Sequence, residues 1–144
     1  MGKLLQRLTD PAKSGVYRAP RAGDVVDAAG GSALRVTHVG LAGAGAKSAL
    51  MERFARALEF PRWFGGNWDA LEDCLSDLSW LEAGGSAGHV LLIEGAGTLP
   101  LDERGILVDV LAAAAASWAE RGKPFFAVFV GAEAPLPELY RPKK

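Results

Sequence analysis

Residues 89–130 read HVLLIEGAGTLPLDERGILVDVLAAAAASWAERGKPFFAVFV, and three segments of different periodicity stand out in them. His89–Glu94 (HVLLIE) is a short continuous apolar run, the mark of a strand covered on both faces. Residues 101–121 form a long alanine-rich helical stretch, closed by Gly122 and Pro124. Phe125–Val130 (FFAVFV) is a second buried strand. A connection of helix length between two strands is too long for a hairpin, so the unit predicts parallel pairing through a right-handed crossover.

Upstream, Leu34–Leu41 (LRVTHVGL) is β-rich and mostly apolar, and reads as another buried strand. Lys47–Leu58 places Leu50, Phe54, Ala57 and Leu58 at helical spacing, with Arg53 and Arg56 facing out. Phe60-Pro61 stops that helix, because the residue before proline avoids the α region. Gly65-Gly66 is a turn, and Asn67 is a good N-cap for a helix running to about Leu78. The order β-α-α-β-α-β predicts an α/β fold, a small, mostly parallel three-stranded sheet packed with helices.

The ends read differently. Residues 1–33 hold Pro11, Pro20 and five glycines, with one amphipathic piece from Leu4 to Leu8. They are expected to be a partly irregular N-terminal extension outside the core. Residues 133–144 carry Pro135, Pro137 and Pro142 and are expected to be a mobile tail. The division is therefore 1–33 extension, 34–132 domain and 133–144 tail.

Sixteen Lys and Arg against seventeen Asp and Glu, a net charge of −1, argue against a direct nucleic-acid binder or a polybasic membrane binder. A single cysteine, Cys74, excludes an internal disulfide framework and a multi-cysteine metal site. No signal-peptide core follows Met1, and the small-apolar run from Val108 to Ala116 is far below the ~20 residues of a membrane span. A soluble, cytoplasmic protein without a cofactor is expected.

Several residues invite chemistry. Gly40–Ser48 (GLAGAGAKS) follows a strand and opens a helix, as a phosphate-binding loop would, with Glu94 as a matching acid. Such a loop needs its lysine directly after the last glycine, and here Ala46 separates Gly45 from Lys47. A plain βα loop with an acidic strand end is the simpler reading. His38 and His89 fall within predicted strands, beside no nucleophile and no metal-ligand partner, so edge or satisfied histidines are expected. Cys74 falls among Leu71, Leu75 and Leu78 and reads as a small buried hydrophobe.

The informative segment is Phe60–Leu78, FPRWFGGNWDALEDCLSDL. Trp63, Phe64, Trp68 and, just beyond, Trp80 crowd around glycines that cannot cover them. Asp69, Asp73 and Asp77 form an i, i+4, i+8 row with Glu72 beside it. Like charges at i, i+4 destabilise a helix by roughly 0.2–0.5 kcal/mol per pair, and the helix dipole relieves only Asp69 in the first turn. A solvated helix face would explain the acids but not the aromatics. Aromatics around a single-sign ridge describe a surface for a basic partner. Both readings stay open on the residues alone.

The pattern Pro-x-x-aromatic-Gly-x-Asn-x-Asp-Ala-Leu-x-Asp-Cys-Leu, residues 61–75, resembles the barstar family of intracellular ribonuclease inhibitors. With the strand, helix and strand that follow, the resemblance covers roughly Leu34 to Gly131. It implies a three-stranded parallel sheet with packed helices. It also implies a protein that is not an enzyme. Its partner would be a small basic ribonuclease or related basic toxin, whose active site it covers. Carried over by position, Asp73 stands at the dominant acidic contact and Asp69 at the other helical aspartate. Trp63 and Phe64 match the aromatic pair of the loop, and Asn67 and Ala70-Leu71 match the cap and buried helix face.

The implied contact set is Trp63, Phe64, Gly66, Asn67, Trp68, Asp69, Glu72, Asp73 and Asp77. Carboxylates there stand in for RNA phosphates before an arginine- and lysine-rich cleft, since arginine forks grip carboxylates in bidentate fashion. Glu72 replaces a contacting tryptophan, and Ser117 falls where the last helix supplies an acid, with Glu120 one turn away. The alternatives are a nucleotide- or phosphate-binding protein using Gly40–Ser48, or an interaction module with a non-nuclease partner.

Charge distribution sharpens the neutral total. Between Glu59 and Glu82 lie six acids (Glu59, Asp69, Glu72, Asp73, Asp77, Glu82) and one base (Arg62), a local balance of −5 that leaves +4 for the rest against the total of −1. An acidic face sits on a mildly basic body.

Overall fold

The computed structural model describes residues 2–81, 87–131 and 136–140. Helix α1 (Gly2–Leu8), strand β1 (Gly15–Ala19) and helix α2 (Ala22–Ala29) lead to strand β2 (Leu34–Gly40). Helices α3 (Lys47–Ala57) and α4 (Trp68–Asp77) follow, then β3 (Gly88–Glu94), the long α5 (Leu101–Glu120) and β4 (Phe125–Val130). Every strand pair is parallel, in the order β1-β4-β3-β2.

The sheet thus has four strands where the sequence predicted three. The fourth, β1, comes from the stretch expected to lie outside the core. It pairs with β4 in the register Val16↔Ala127 and Tyr17↔Val128, and Val16, Tyr17 and Ala19 are buried. Ser14 Oγ accepts the Phe125 N–H at 3.0 Å and fixes where the pairing begins. The reason lies in β4 itself: FFAVFV carries no charge, and a bare apolar edge invites pairing with another chain. Strand β1 covers it.

Both faces of the sheet are buried, as the unbroken apolar runs required. Leu91, Ile93, Phe125, Ala127 and Phe129 point to one side, against Phe54 of α3, Leu71 and Leu75 of α4, and Leu111 and Trp118 of α5. Val90, Leu92, Phe126 and Val128 point to the other, against Leu8 of α1 and Val25 and Ala29 of α2. Without the N-terminal segment this second face would meet water.

Two further expectations are corrected. The stretch 136–140 is held down rather than loose: Leu139 is buried in the second core. The Arg18 N–H donates to the Pro137 carbonyl and the Leu139 N–H to the Arg18 carbonyl, each at 2.9 Å. The rest of the expected tail, 133–135 and 141–144, lies outside the described residues. Strand β2, read as buried, is an edge strand on which Leu34 and Val39 are buried while Arg35 and His38 are exposed. Helix α3 ends at Ala57 with Leu58 as cap, and Glu59 reverses the chain at φ +54°, just before the Phe60-Pro61 stop. No described helix is long and apolar enough to cross a membrane.

Candidate partner-binding face

Helix α4 starts where the sequence placed its cap: Asn67 Oδ1 accepts the Ala70 N–H at 2.8 Å. Leu71, Cys74 and Leu75 are fully buried at helical spacing. That burial turns the opposite face outward, and Asp69, Glu72, Asp73 and Asp77 are all exposed. Among the described residues none of the four carboxylates has an ion-pair partner.

The far end of α4 is secured from α5. No base lies in its last turn, and Leu78 closes it in the left-handed conformation at φ +50°. Trp118 Nε1 donates to the Leu75 carbonyl at 2.8 Å, and Arg121 Nη2 donates to the Ser76 carbonyl. The Arg121 guanidinium also lies over the Trp118 ring, 4.1 Å from its centre. Neither Trp118 nor Arg121 was marked by the sequence, although an arginine just beyond a helix end is a readable signal.

The loop before α4 is built on aromatic packing. The Phe64 N–H donates to the Pro61 carbonyl at 3.0 Å and closes a turn with Arg62 and Trp63 at its tip. Phe60 meets Phe64 and Trp80 edge-on, at 4.8 and 5.9 Å between ring centres. Trp80 Nε1 donates to the Leu58 carbonyl at 2.8 Å, which makes Trp80 the anchor of the loop. Trp63 leans edge-on against Trp80 at 6.3 Å and is 64% exposed.

The structure therefore divides the implied contact set. Trp63, Asp69, Glu72, Asp73 and Asp77 are exposed, with Asn67 exposed at the helix start. Phe64 and Trp68 are half-buried against the core, and Gly66 is a backbone position at φ +71° that only glycine adopts freely. Cys74 is buried, and burial first, then Asp73 and Asp77, push its thiol up to about 11. It remains an inert hydrophobe at neutral pH.

The competing phosphate-loop reading finds little room. The Leu41 N–H is bound to the Glu94 carbonyl and the Ala44 N–H to the Leu41 carbonyl, so two amides of the loop are already used. Arg53 Nη1 reaches the Gly40 and Ala42 carbonyls at 2.8 and 3.0 Å, so carbonyls rather than amides meet the nearest cation. Gly95, at φ +79°, is packed so tightly on this loop that a Cβ there would lie 2.5 Å from the Ala42 nitrogen. Glu94 faces His38, its Oε1 3.5 Å from the ring Nδ1, and His89 is fully buried against Trp118 and Phe125. Among the described residues no group of three or more His, Cys, Asp or Glu side chains could hold a metal.

Comparison with known proteins agrees with this architecture. A family model described as Barstar (barnase inhibitor) matches residues 34–130, from the start of β2 to the end of β4. No curated protein matches the chain. Because the match spans two-thirds of the sequence and contains the acidic helix, the loop before it and the three core strands, the chain belongs to the barstar family.

Proposed function

We propose that this protein is an inhibitor of a small basic ribonuclease, blocking the active site with carboxylates of α4 that stand in for RNA phosphates. The observation that carries the reading is the exposed row Asp69, Glu72, Asp73 and Asp77, without an ion-pair partner among the described residues, together with the outward Trp63. A protein that keeps like charges together without internal partners spends helix stability on them. An arginine- and lysine-lined cleft returns it, because each carboxylate replaces the phosphate that those donors bind.

The parts divide the work. Asp73 and Asp69 meet the phosphate-binding donors, and Glu72 and Asp77 extend the acidic surface on either side. Trp63 supplies a flat apolar contact whose position is fixed by Trp80, so little side-chain freedom is lost on docking. Short aspartates on a helix secured at both ends share that advantage over flexible glutamates. No bond is made or broken; the protein acts by occupancy, inside the cell that makes the nuclease. Residues 34–132 carry this activity, and residues 1–33 complete the sheet beneath it.

The test is inhibition itself. The purified chain is added to a panel of small basic ribonucleases, barnase and one encoded beside this chain's gene among them, and cleavage of a fluorescent RNA is followed. At least one nuclease should lose activity at a one-to-one ratio, and Asp73→Ala should restore it. If no nuclease is slowed, and Asp73→Ala alters no partner captured from the native cell, the reading is wrong.

A further inference from the structure

We infer that Arg121 is a positioning residue for partner binding, a cation supplied by α5 that holds the C-terminal end of α4 and thereby the direction of Asp73 and Asp77; the inference rests on the inhibitor reading above. Helix α4 is built against its own dipole at this end. The negative pole of a helix favours a base in the last turn, and α4 has none there and carries Asp77 instead. Its last carbonyls lack partners within the helix and have no glycine cap, since Leu78 takes the left-handed position that glycine usually fills.

Arg121 answers both needs at once. Its Nη2 donates to the Ser76 carbonyl, one residue before Asp77, and brings a full positive charge to the negative pole. The guanidinium is held there from two sides, by the Trp118 ring at 4.1 Å and by Nε donating to the Ser117 carbonyl at 3.4 Å. Trp118 holds the preceding carbonyl, that of Leu75. Trp118 of α5 and its cap residue Arg121 therefore grip two adjacent carbonyls of α4, next to the acids offered to the partner. The charge has a second consequence. Arg121 is exposed and positive at the border of an acidic surface, so it opposes attraction of a basic partner while it orders the helix. The two effects act on different rate constants.

That separation makes the inference testable. In the free protein, Arg121→Gln should speed amide hydrogen exchange over residues 74–78 about tenfold, because a charge-assisted hydrogen bond is lost, and leave α3 unchanged. In the complex with the inhibited ribonuclease, the same variant should dissociate several-fold faster while associating no slower. A purely structural role would lower thermal stability without touching dissociation. Asp77→Asn, which relieves the dipole by another route, should make the dissociation effect of Arg121→Gln smaller than in the parent. Trp118→Phe loses the Leu75 bond and leaves a smaller ring beneath Arg121, so it should also speed exchange over residues 74–78.

Unchanged exchange over 74–78 would overturn the clamp. Unchanged dissociation, or fully additive effects of the two substitutions, would leave Arg121 a structural clamp and overturn its positioning role. If exchange accelerates as expected but the parent protein inhibits no nuclease, the clamp stands and the inhibitor reading, with Arg121's part in it, falls.

Discussion

On α4 the carboxylates of Asp69, Glu72, Asp73 and Asp77 are exposed and without a basic partner among the described residues, whereas at the β1 edge Glu138 and Asp24 are both tied. Glu138 lies 3.7 Å from Arg18, and Asp24 meets Arg21 at 3.2 Å and the Tyr140 hydroxyl at 2.5 Å. The residue types are alike and their uses are opposite. Paired charges at the edge hold the N-terminal segment and the stretch 136–140 together around a buried Leu139. The α4 charges, without a described counter-charge, are on the inhibitor reading kept for an encounter with something basic. On the proposed reading, a surface that stabilises the fold and a surface that recognises a partner are told apart by where the counter-charges are.

The comparison predicts that binding and stability separate by region. The largest effect belongs to Asp73→Ala, which should weaken nuclease binding by about 2–5 kcal/mol, the cost of leaving a partner's buried base unpaired. Its stability to denaturant should stay within about 0.5 kcal/mol of the parent. Calorimetric titration and a urea melt check both halves, and a binding defect matched by an equal stability loss would erase the distinction. At the other region, Leu139→Ala removes a side chain that is 2% exposed and should cost about 2–5 kcal/mol of stability in the urea melt. Inhibition measured well below the melting temperature should be unaffected.

A smaller effect is expected from pH. The Tyr140 hydroxyl and Arg21 hold the Asp24 carboxyl below its ordinary value, and burial together with the bond to Asp24 pushes the Tyr140 phenol up to about 12. The Asp24 contribution is present above about pH 4 and is lost as pH falls through its lowered value. The phenol works in the opposite sense: unfolded tyrosine ionises near pH 10 while the folded one keeps its proton, so stability declines between about pH 10 and 12. Tyr140→Phe should flatten that alkaline decline, seen in melts across the range. The smallest effect concerns Cys74, whose thiol, raised to about 11 by burial, should resist alkylation at pH 8 until the protein unfolds. Rapid labelling of the folded protein would show that the buried side of α4 opens.

Most of the matched domain was legible because its signals are local. Asn67 caps the helix that begins at Trp68 through a bond spanning three residues, and Leu71, Cys74 and Leu75 declare the buried side by spacing alone. The acids on the opposite side follow from the same geometry. What was not legible depended on distant partners. Strand β1 is five residues, GVYRA, with no alternation of its own, and it is a strand because β4 lies beside it more than a hundred residues away. Leu139 reads in sequence as part of a proline-rich tail, and it is fixed only because the Arg18 backbone bonds the Pro137 carbonyl and the Leu139 N–H. Strand β2 looked buried because Leu34, Val36 and Val39 dominate it, and only the strand order makes it an edge.

The sequence by itself determined the succession of helices and strands from β2 to β4, the capped acidic helix, the aromatic loop and the family they belong to, since each is written in contacts a few residues apart. Tertiary structure alone decided that the sheet has four strands, that Trp63 faces out while Phe64 and Trp68 turn in, and that Trp80, Trp118 and Arg121 fix the acidic face. Those are choices among side chains of similar local character. They are settled by which hydrogen bonds and buried surfaces become available only when segments far apart in the chain meet.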